Sequence, residues 1–167
     1  MTSVSEETVD PMVLRRTLQA HAAGVCVVTT AGPDGPVGIT ATSFTPVSLD
    51  PPLVSFCLGR QSSTWPAFRT AEWFGVHVLG AHQQDVAERF AMKGIDRFAP
   101  PTRWAPGPHG VPLLDGTLAH LVCSRHAVLP IGDHYLVLGT VVAAQRGDDG
   151  PGLVHRHGRL QAVESAI

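Results

Sequence analysis

The stretch Val25-Cys26-Val27-Val28-Thr29-Thr30 decides the fold class. Its β-branched and apolar side chains favour a strand, and the turn-forming Gly32-Pro33-Asp34-Gly35 follows it closely. Residues 37–44 are again rich in strand-forming side chains, so the two segments predict a β-hairpin with a longer loop.

Outward from this hairpin, the chain alternates further strand segments with few helices. The other predicted strands are residues 53–58, 73–79, 118–128, 135–144 and 153–163. The predicted helices are residues 11–23, 63–70 and 83–91. Asp10-Pro11 has the residue types preferred at a helix start, and Val86 and Phe90 share one helical face. Many strands with few crossover helices predict a mostly β, antiparallel barrel or sandwich.

One long segment, residues 93–112, contains five prolines and separates two predicted strands. Strands resume after it, so it is predicted to be an ordered loop of the kind that often carries function. No repeat or composition break divides the chain. We therefore expect a disordered N-terminal segment, residues 1–10, and a single domain, residues 11–167.

Composition excludes several classes of protein. The 167 residues are 44% hydrophobic and only 16% charged, which is unlike a disordered chain, and the net charge of −2 disfavours a nucleic-acid binder. Lys93 is the single lysine, no apolar run is long enough for a membrane helix, and the N-terminus does not resemble a signal peptide. Cys26, Cys57 and Cys123 are far apart and odd in number, which predicts buried free thiols in a reducing cytoplasm.

The common phosphate-binding and hydrolytic motifs are missing. The sequence contains no GxGxxG, GxxxxGK[ST], HExxH or GxSxG motif. His155 and His157, two residues apart, would share one face of a strand, and a metal site there is one hypothesis. No third ligand is evident, so exposed or phosphate-contacting histidines are favoured and no metal is expected.

Hydroxyl side chains are concentrated in two places. Thr40, Thr42 and Ser43 lie at the end of one predicted strand, and Ser62-Ser63-Thr64 precede a predicted helix. Each cluster alone fits the ordinary preference of Thr for strands and of Ser for turns and caps. Together they offer neutral donors for a polar ring edge and, at the unpaired N–H groups of a helix start, for a phosphate.

Three motifs resemble the flavin reductase family of two-component oxygenase systems. They are Gly38-Ile39-Thr40-Ala41-Thr42-Ser43-Phe44, then Ser48-Leu49-Asp50-Pro51-Pro52-Leu53-Val54, and then Gly132-Asp133-His134. The resemblance covers roughly residues 14–160. It implies an FMN-binding split β-barrel, a homodimer, and reduction of FMN, or of FAD, by NADH or NADPH. It also implies delivery of reduced flavin to a flavin-dependent monooxygenase.

The resemblance also implies the residues of the site. Flavin contacts carried over position by position are Thr40, Ala41, Thr42, Ser43, Cys57, Leu58, Ser63, Thr64, Phe90, Ala91 and Arg97. His134 would lie near the nicotinamide nucleotide. The sequence departs from the family at Thr42, where Asn or Ser is usual, and at His155 and Leu160, where aromatic residues are common.

No acid–base or nucleophilic residue is required, because the flavin itself accepts the hydride at its N5 atom. Two other hypotheses remain open at this point. One is a split barrel that binds flavin or haem without turnover, since a fold does not fix a function. The other, which is less favoured, is oxidation of a pyridoxine-type phosphate on a related barrel.

Overall fold

The computed structural model describes residues 8–163. Most of the segment 1–10 predicted to be disordered therefore lies outside the described residues, and the domain boundaries 11–167 stay a prediction. The helices are α1 (Pro11–Leu18), α2 (Trp65–Thr70) and α3 (Gln84–Ala91). The strands are β1 (Ala23–Gly24), β2 (Cys26–Gly32), β3 (Gly35–Ala41), β4 (Thr45–Leu49), β5 (Pro52–Gly59), β6 (Trp73–Val78), β7 (Trp104–Pro106), β8 (Pro112–Leu114), β9 (Ala119–Ile131), β10 (His134–Arg146), β11 (Leu153–Arg156) and β12 (Arg159–Ala162). None of these helices has the length and hydropathy needed to cross a membrane.

A seven-stranded antiparallel sheet forms the body of the molecule, in the order β3-β2-β6-β9-β10-β5-β4. Just after β3, the Ser43 hydroxyl accepts a hydrogen bond from the Cys57 N–H of β5 at 2.8 Å and donates to the Cys57 carbonyl at 3.2 Å. These bonds join two distant members of the strand order. The sheet therefore curls on itself, and the predicted mostly β, split-barrel architecture is confirmed.

Both faces of β2 are buried, which explains why apolar side chains follow one another at Cys26, Val27 and Val28. Cys26 and Val28 point into the barrel core beside Phe56 and Phe74. Val25 and Val27 point the opposite way, into a second core that α3 covers. The strand is therefore shared between two hydrophobic clusters, and α3 is fixed against the outside of the barrel.

Helix α1 begins where the sequence predicts and ends earlier. The Asp10 carboxylate accepts hydrogen bonds from the N–H groups of Met12 at 2.8 Å and Val13 at 3.2 Å, as expected of an N-cap. The predicted end at residue 23 is wrong, because the chain leaves the helix after Leu18 and Ala23–Gly24 pairs with β11.

The C-terminal segment 153–163 is a hairpin and not the single predicted strand. His157 and Gly158 have φ angles of 51° and 72°, the left-handed conformation at both central positions of a two-residue turn. The turn reverses the chain between β11 and β12. His155 and His157 therefore do not share a strand face, and no metal-binding group of three or more side chains is found in residues 8–163.

Besides β1, three more short strands lie outside the predicted set. Strand β4 is an edge strand that contains Pro46, which lacks a backbone N–H. An edge position tolerates it because the outer side of an edge strand makes no ladder hydrogen bond. Strands β7 and β8 pair with each other and order the proline-rich segment 93–112. The expectation that this segment is ordered is correct, although it contains a small hairpin as well as loop.

Candidate active site

Three adjoining cavities form one cleft between the end of β3, the end of β5, the turn at residues 59–63 and the loop after α3. The central cavity has a volume of about 600 Å³. The strand cavity, of about 260 Å³, shares Thr40, Gly59 and His134 with it. The loop cavity, of about 290 Å³, shares Ser63 and Arg97 with it. These shared residues make the cleft continuous from the strand cavity to the loop cavity.

Eleven of the twelve predicted site residues line this cleft. Those in the strand cavity are Thr40, Ala41, Thr42, Ser43, Cys57, Leu58 and His134. Those in the central and loop cavities are Ser63, Thr64, Ala91 and Arg97, together with Thr40 and His134 again. The two hydroxyl clusters, separate in the sequence, are therefore neighbours in the structure.

The hydroxyls of the strand cavity have different roles. Thr40 donates a 2.6 Å hydrogen bond to the Ala87 carbonyl and so ties β3 to α3. Ser43 joins β3 to β5, as described above. Thr42 is exposed, and no residue in the described part of the chain engages its hydroxyl. Thr40 and Ser43 therefore shape the cleft, whereas Thr42 can donate a hydrogen bond to a ligand.

The second hydroxyl cluster differs from the predicted helix-start site. The hydroxyls of Ser62 and Thr64 bond each other at 2.8 Å, and helix α2 has only six residues. A helix this short offers a weak dipole, so the predicted helix-end contribution is not supported. Ser63 is exposed where the central and loop cavities meet, with its hydroxyl directed to neither Ser62 nor Thr64.

Three cations surround the central cavity, and two of them had no predicted role. They are Arg60, Lys93 and Arg97. Arg97 donates to the Met92 carbonyl at 2.9 Å and to the Gly38 carbonyl at 2.7 Å, and its partial burial lowers its pKa. These bonds hold the loop after α3 against β3. Because a guanidinium has five N–H donors, Arg97 keeps donors for a ligand.

His134 lies at the turn between β9 and β10, where Gly132 has a φ of 56°. Its Nδ1 lies 2.6 Å from a carboxylate oxygen of Asp133, and this bond lowers the Asp133 pKa. With Nδ1 held by Asp133, Nε2 is directed into the cleft, where it would lie 3.9 Å from a Cβ placed on Gly59. His134 is therefore an oriented donor or acceptor in the wall shared by the central and strand cavities.

Residues 18–164 match the flavin reductase like domain. The chain belongs to the flavin reductase like domain family. An NADH:FMN oxidoreductase of Rhodococcus qingshengii is 45% identical over 135 residues, covering 81% of this chain and 70% of that protein. The reductase subunit HsaB of a flavin-dependent monooxygenase from Rhodococcus jostii is 35% identical over 97% of this chain and 83% of its own length.

Solved structures give the same family. The NADH:FAD oxidoreductase SgcE6 of Streptomyces globisporus, in complex with NAD and FAD fragments, superposes with a TM-score of 0.87. It is 38% identical and covers 95% of this flavin reductase, which covers 97% of the SgcE6 chain. Family membership makes this chain an oxidoreductase that reduces flavin.

The cleft of this flavin reductase has a volume and lining that suit a flavin. Its central cavity has a volume typical of cofactor sites. Gly59 leaves open space beside the strand cavity, since among residues 8–163 only His134 lies within 4 Å of where a Cβ on Gly59 would be. Neutral hydroxyl and backbone groups suit a polar ring edge, and the positive charges of Lys93 and Arg97 suit a phosphate.

Phe90 is the predicted site residue that the structure places elsewhere. Its side chain is fully buried and packs edge-to-face on Phe98, with ring centroids 5.1 Å apart. A Cβ on Gly38 would lie 2.7 Å from the Phe90 ring, so the ring lies directly beneath β3. Phe90 therefore belongs to the core under the cleft and does not close the cavity.

Cys57 also differs from the expectation of a buried thiol. It is partly exposed and lines the strand cavity, whereas Cys26 and Cys123 are buried. Burial raises the pKa of each buried thiol to about 12, so both stay protonated and unreactive. All three thiols are free, as expected.

Proposed function

We propose that this protein transfers a hydride from NADH to FMN held in the cleft, and that the reduced flavin then leaves for a separate monooxygenase. The observation that carries the proposal is the continuity of the cleft. Hydroxyl-lined and cation-lined cavities share Thr40, Ser63 and Arg97, so one ligand can reach both. A flavin mononucleotide has a polar ring at one end and a phosphate at the other.

The phosphate lies at the junction of the central and loop cavities. Ser63 supplies a hydroxyl there, and Lys93 and Arg97 supply positive charge. Arg97 is already held by carbonyls of Met92 and Gly38, so little side-chain entropy is lost when it contacts the phosphate. Thr64 is buried beneath Ser63 and supports the turn.

The ring lies in the strand cavity, against the end of β3 and the end of β5. Thr42 donates from its free hydroxyl, and the backbone around Ala41, Cys57 and Leu58 borders the ring. A bound flavin supplies the hydride acceptor, so the protein needs no acid or base of its own. Holding both reactants face to face contributes up to roughly 7–11 kcal/mol to lowering the barrier.

Release of the reduced flavin follows from the nature of the cleft. Its walls are partly exposed, and its ring contacts are neutral hydrogen bonds, which contribute about 1 kcal/mol each. Moderate affinity suits a flavin that is a substrate and not a permanent cofactor. HsaB is itself a reductase subunit, and three free thiols suit a protein working in the reducing cytoplasm.

The proposed function is tested by initial rates with FMN or FAD against NADH or NADPH. We expect rapid oxidation of NADH with FMN, followed by loss of the flavin absorbance once oxygen is exhausted. The absence of turnover with all four pairs would refute it and favour a barrel that binds flavin without reducing it. Flavin retained through purification at full occupancy would refute the release step alone.

His134→Ala is expected to raise the apparent KM for NADH about tenfold while changing the KM for FMN less than about twofold. The reason is that the flavin keeps its proposed phosphate contacts with Ser63, Lys93 and Arg97, whereas Nε2 of His134 faces the cleft as the proposed contact of the nicotinamide nucleotide. Steady-state kinetics with each substrate varied in turn measures both constants. Equal losses for NADH and FMN would show that His134 has only a structural role.

The protein is a homodimer in this proposal, and α1 supports it. No residue of α1 is buried, and Met12, Leu14 and Leu18 are 46–58% exposed although the helix is amphipathic. An apolar helix face of this kind is stabilised when a second copy covers it. The resemblance to dimeric family members points to the same arrangement.

Sedimentation is expected to give twice the chain mass of 17.7 kDa for the wild type at micromolar concentration. The double variant Leu14→Glu, Leu18→Glu places charges on the apolar face and is expected to sediment as a monomer. Arg16→Glu on the same helix is the control and stays dimeric. A fully active wild-type monomer would contradict this prediction.

A further inference from the structure

A stack of three side chains stands at the rim of the central cavity. The rings of Trp65 and Tyr135 are parallel within 12° with centroids 3.9 Å apart, and the Arg60 guanidinium carbon lies 5.3 Å from the Tyr135 ring centre. This is within the distance of a cation–π interaction. The stack joins the turn after β5, helix α2 and strand β10.

The backbone holds this stack in place. The Arg60 N–H donates to the Asp133 carbonyl at 3.0 Å, and Tyr135 lies opposite Leu58 in the β5–β10 ladder. Trp65 is the first residue of α2. The Arg60 backbone and the Tyr135 ring are therefore held by the sheet, and the exposed Arg60 side chain contacts that ring before any ligand arrives.

The charge of Arg60 is not neutralised within the described residues 8–163. Arg60 forms no ion pair there. The hydrogen bond with His134 lowers the pKa of the Asp133 carboxylate in the same cavity, and the charge of Arg60 helps to lower it. Beyond this contact with Tyr135, the Arg60 guanidinium makes no hydrogen bond within the described residues, so its N–H groups are available to an anion. A planar guanidinium edge matches two phosphate oxygens at once.

The number of cations exceeds what one phosphate needs. A phosphate monoester carries a charge of about −1.5 to −2 near neutral pH, which Lys93 and Arg97 balance. Arg60 is a third cation in the same cavity, on the side of Asp133 and His134. A ligand with one phosphate leaves it unpaired, whereas a dinucleotide brings a second phosphate.

We propose that Arg60, supported by Tyr135 and Trp65, binds the second phosphate of a dinucleotide and so favours dinucleotides over mononucleotides in this cleft. The inference deepens the proposed function and depends on it. The diphosphate belongs either to the nicotinamide dinucleotide or to FAD, and the recognition chemistry is the same for both. Arg60 is in this proposal a specificity-determining residue for which the resemblance supplied no role.

The experiment compares Arg60→Gln with wild type in steady-state kinetics using FMN, FAD, NADH and reduced nicotinamide mononucleotide. If the phosphate belongs to NADH, the KM for NADH rises about tenfold and that for the reduced mononucleotide changes less than about twofold. If it belongs to FAD, the KM for FAD rises about tenfold and that for FMN stays within the same limit. Equal changes for mononucleotides and dinucleotides, or no change for any of them, overturn the inference.

Three variants separate recognition from general effects. Arg69→Gln removes a cation from an exposed position on α2 outside the cleft, and it is expected to behave as wild type. Arg60→Lys keeps the charge and loses the planar edge, so its KM change is intermediate. Tyr135→Leu removes the ring beneath Arg60 and is expected to raise the KM for the same dinucleotide, by less than Arg60→Gln does, without changing the KM for the mononucleotide. Tyr135→Phe keeps the ring and is expected to leave both KM values unchanged.

Failure of the proposed function has a different outcome. If the wild type turns over no pair of flavin and reduced nucleotide, the proposed flavin reduction is refuted. The role of Arg60 is then tested by ligand binding. Fluorescence titration of wild type and Arg60→Gln with FMN and FAD, and equilibrium dialysis with NAD and nicotinamide mononucleotide, then decide it. Selective weakening of FAD or of NAD supports the role of Arg60, and unchanged affinity for all four overturns it.

Discussion

Phe90→Ala is expected to lower the free energy of unfolding by about 3–5 kcal/mol, the usual cost of removing a buried phenylalanine ring. The ring is fully buried, touches Phe98 edge-to-face and lies directly beneath Gly38. Its loss leaves a cavity between α3 and β3, at the contact that the Thr40 bond to Ala87 also maintains. Urea-induced unfolding followed by tryptophan fluorescence measures the change.

A matched pair of variants distinguishes core packing from ligand contact. Phe90→Leu keeps most of the apolar volume and is expected to cost less than half as much stability, with the KM for FMN within about twofold of wild type. Ala91→Ser, on the cleft surface one residue away, is expected to leave stability unchanged. A large rise in flavin KM for Phe90→Leu with unchanged stability would mean that the ring contacts flavin after all.

The sequence predicts elements best where a local pattern and the tertiary environment agree. Residues 25–28 are apolar because both faces of the strand are buried, and the prediction of a strand over residues 25–30 is correct. The shared face of Val86 and Phe90 is also correct, since both pack into the core that α3 covers. The helical pattern predicts the place of Phe90 better than the family resemblance does.

Predictions fail where a single turn or a distant partner decides the structure. A His-Gly pair is an uncommon sequence for a two-residue turn, so no local pattern predicts that the strand ends at His157. The pairing of Ala23–Gly24 with β11 depends on a segment about 130 residues later, and it ends α1 early. Neither event is visible in a short window of sequence.

The sequence predicts which residues line the candidate site better than it predicts what each of them does there. The family motifs indicate Thr40 and Ser43, but only the tertiary structure shows that their hydroxyls bond Ala87 and Cys57. Arg60 and Lys93 have no local motif, and they meet in the central cavity because β5 and α3 end at the same edge of the barrel. A single sequence carries no information on such convergence.

A second large effect is expected at His77, which is buried without a full set of hydrogen bonds. Its side chain has no solvent exposure, its Nδ1 lies 3.1 Å from the Val27 carbonyl, and its Nε2 has no partner among the described residues. His120 on β9 is the titratable group facing it, with ring centroids 6.3 Å apart, and Thr29 lies beside it on β2. Burial above all lowers the pKa of His77 to about 4.

The sign of the pH dependence follows from the two states. In the folded protein His77 stays neutral down to about pH 4, whereas in the unfolded chain it takes up a proton near its ordinary pKa of 6.5. Acid therefore favours the unfolded chain. The stabilising contribution of neutral His77 to the free energy of unfolding is complete above pH ~6.5. As the pH falls towards about 4, the free energy of unfolding decreases by about 3 kcal/mol in total.

His77→Asn is the variant that isolates this effect, because its amide can still donate to the Val27 carbonyl but cannot take up a proton. It is expected to be less stable than wild type at pH ~7.5, and the difference is expected to shrink by about 3 kcal/mol by pH ~4. Urea unfolding at several pH values between these limits measures the free energy of unfolding of both proteins.

His21→Asn, at an exposed position, is the control, and its free energy of unfolding should run parallel to that of the wild type. Parallel curves for wild type and His77→Asn would show that His77 takes up its proton at the same pH in the folded and the unfolded protein, which would contradict the prediction.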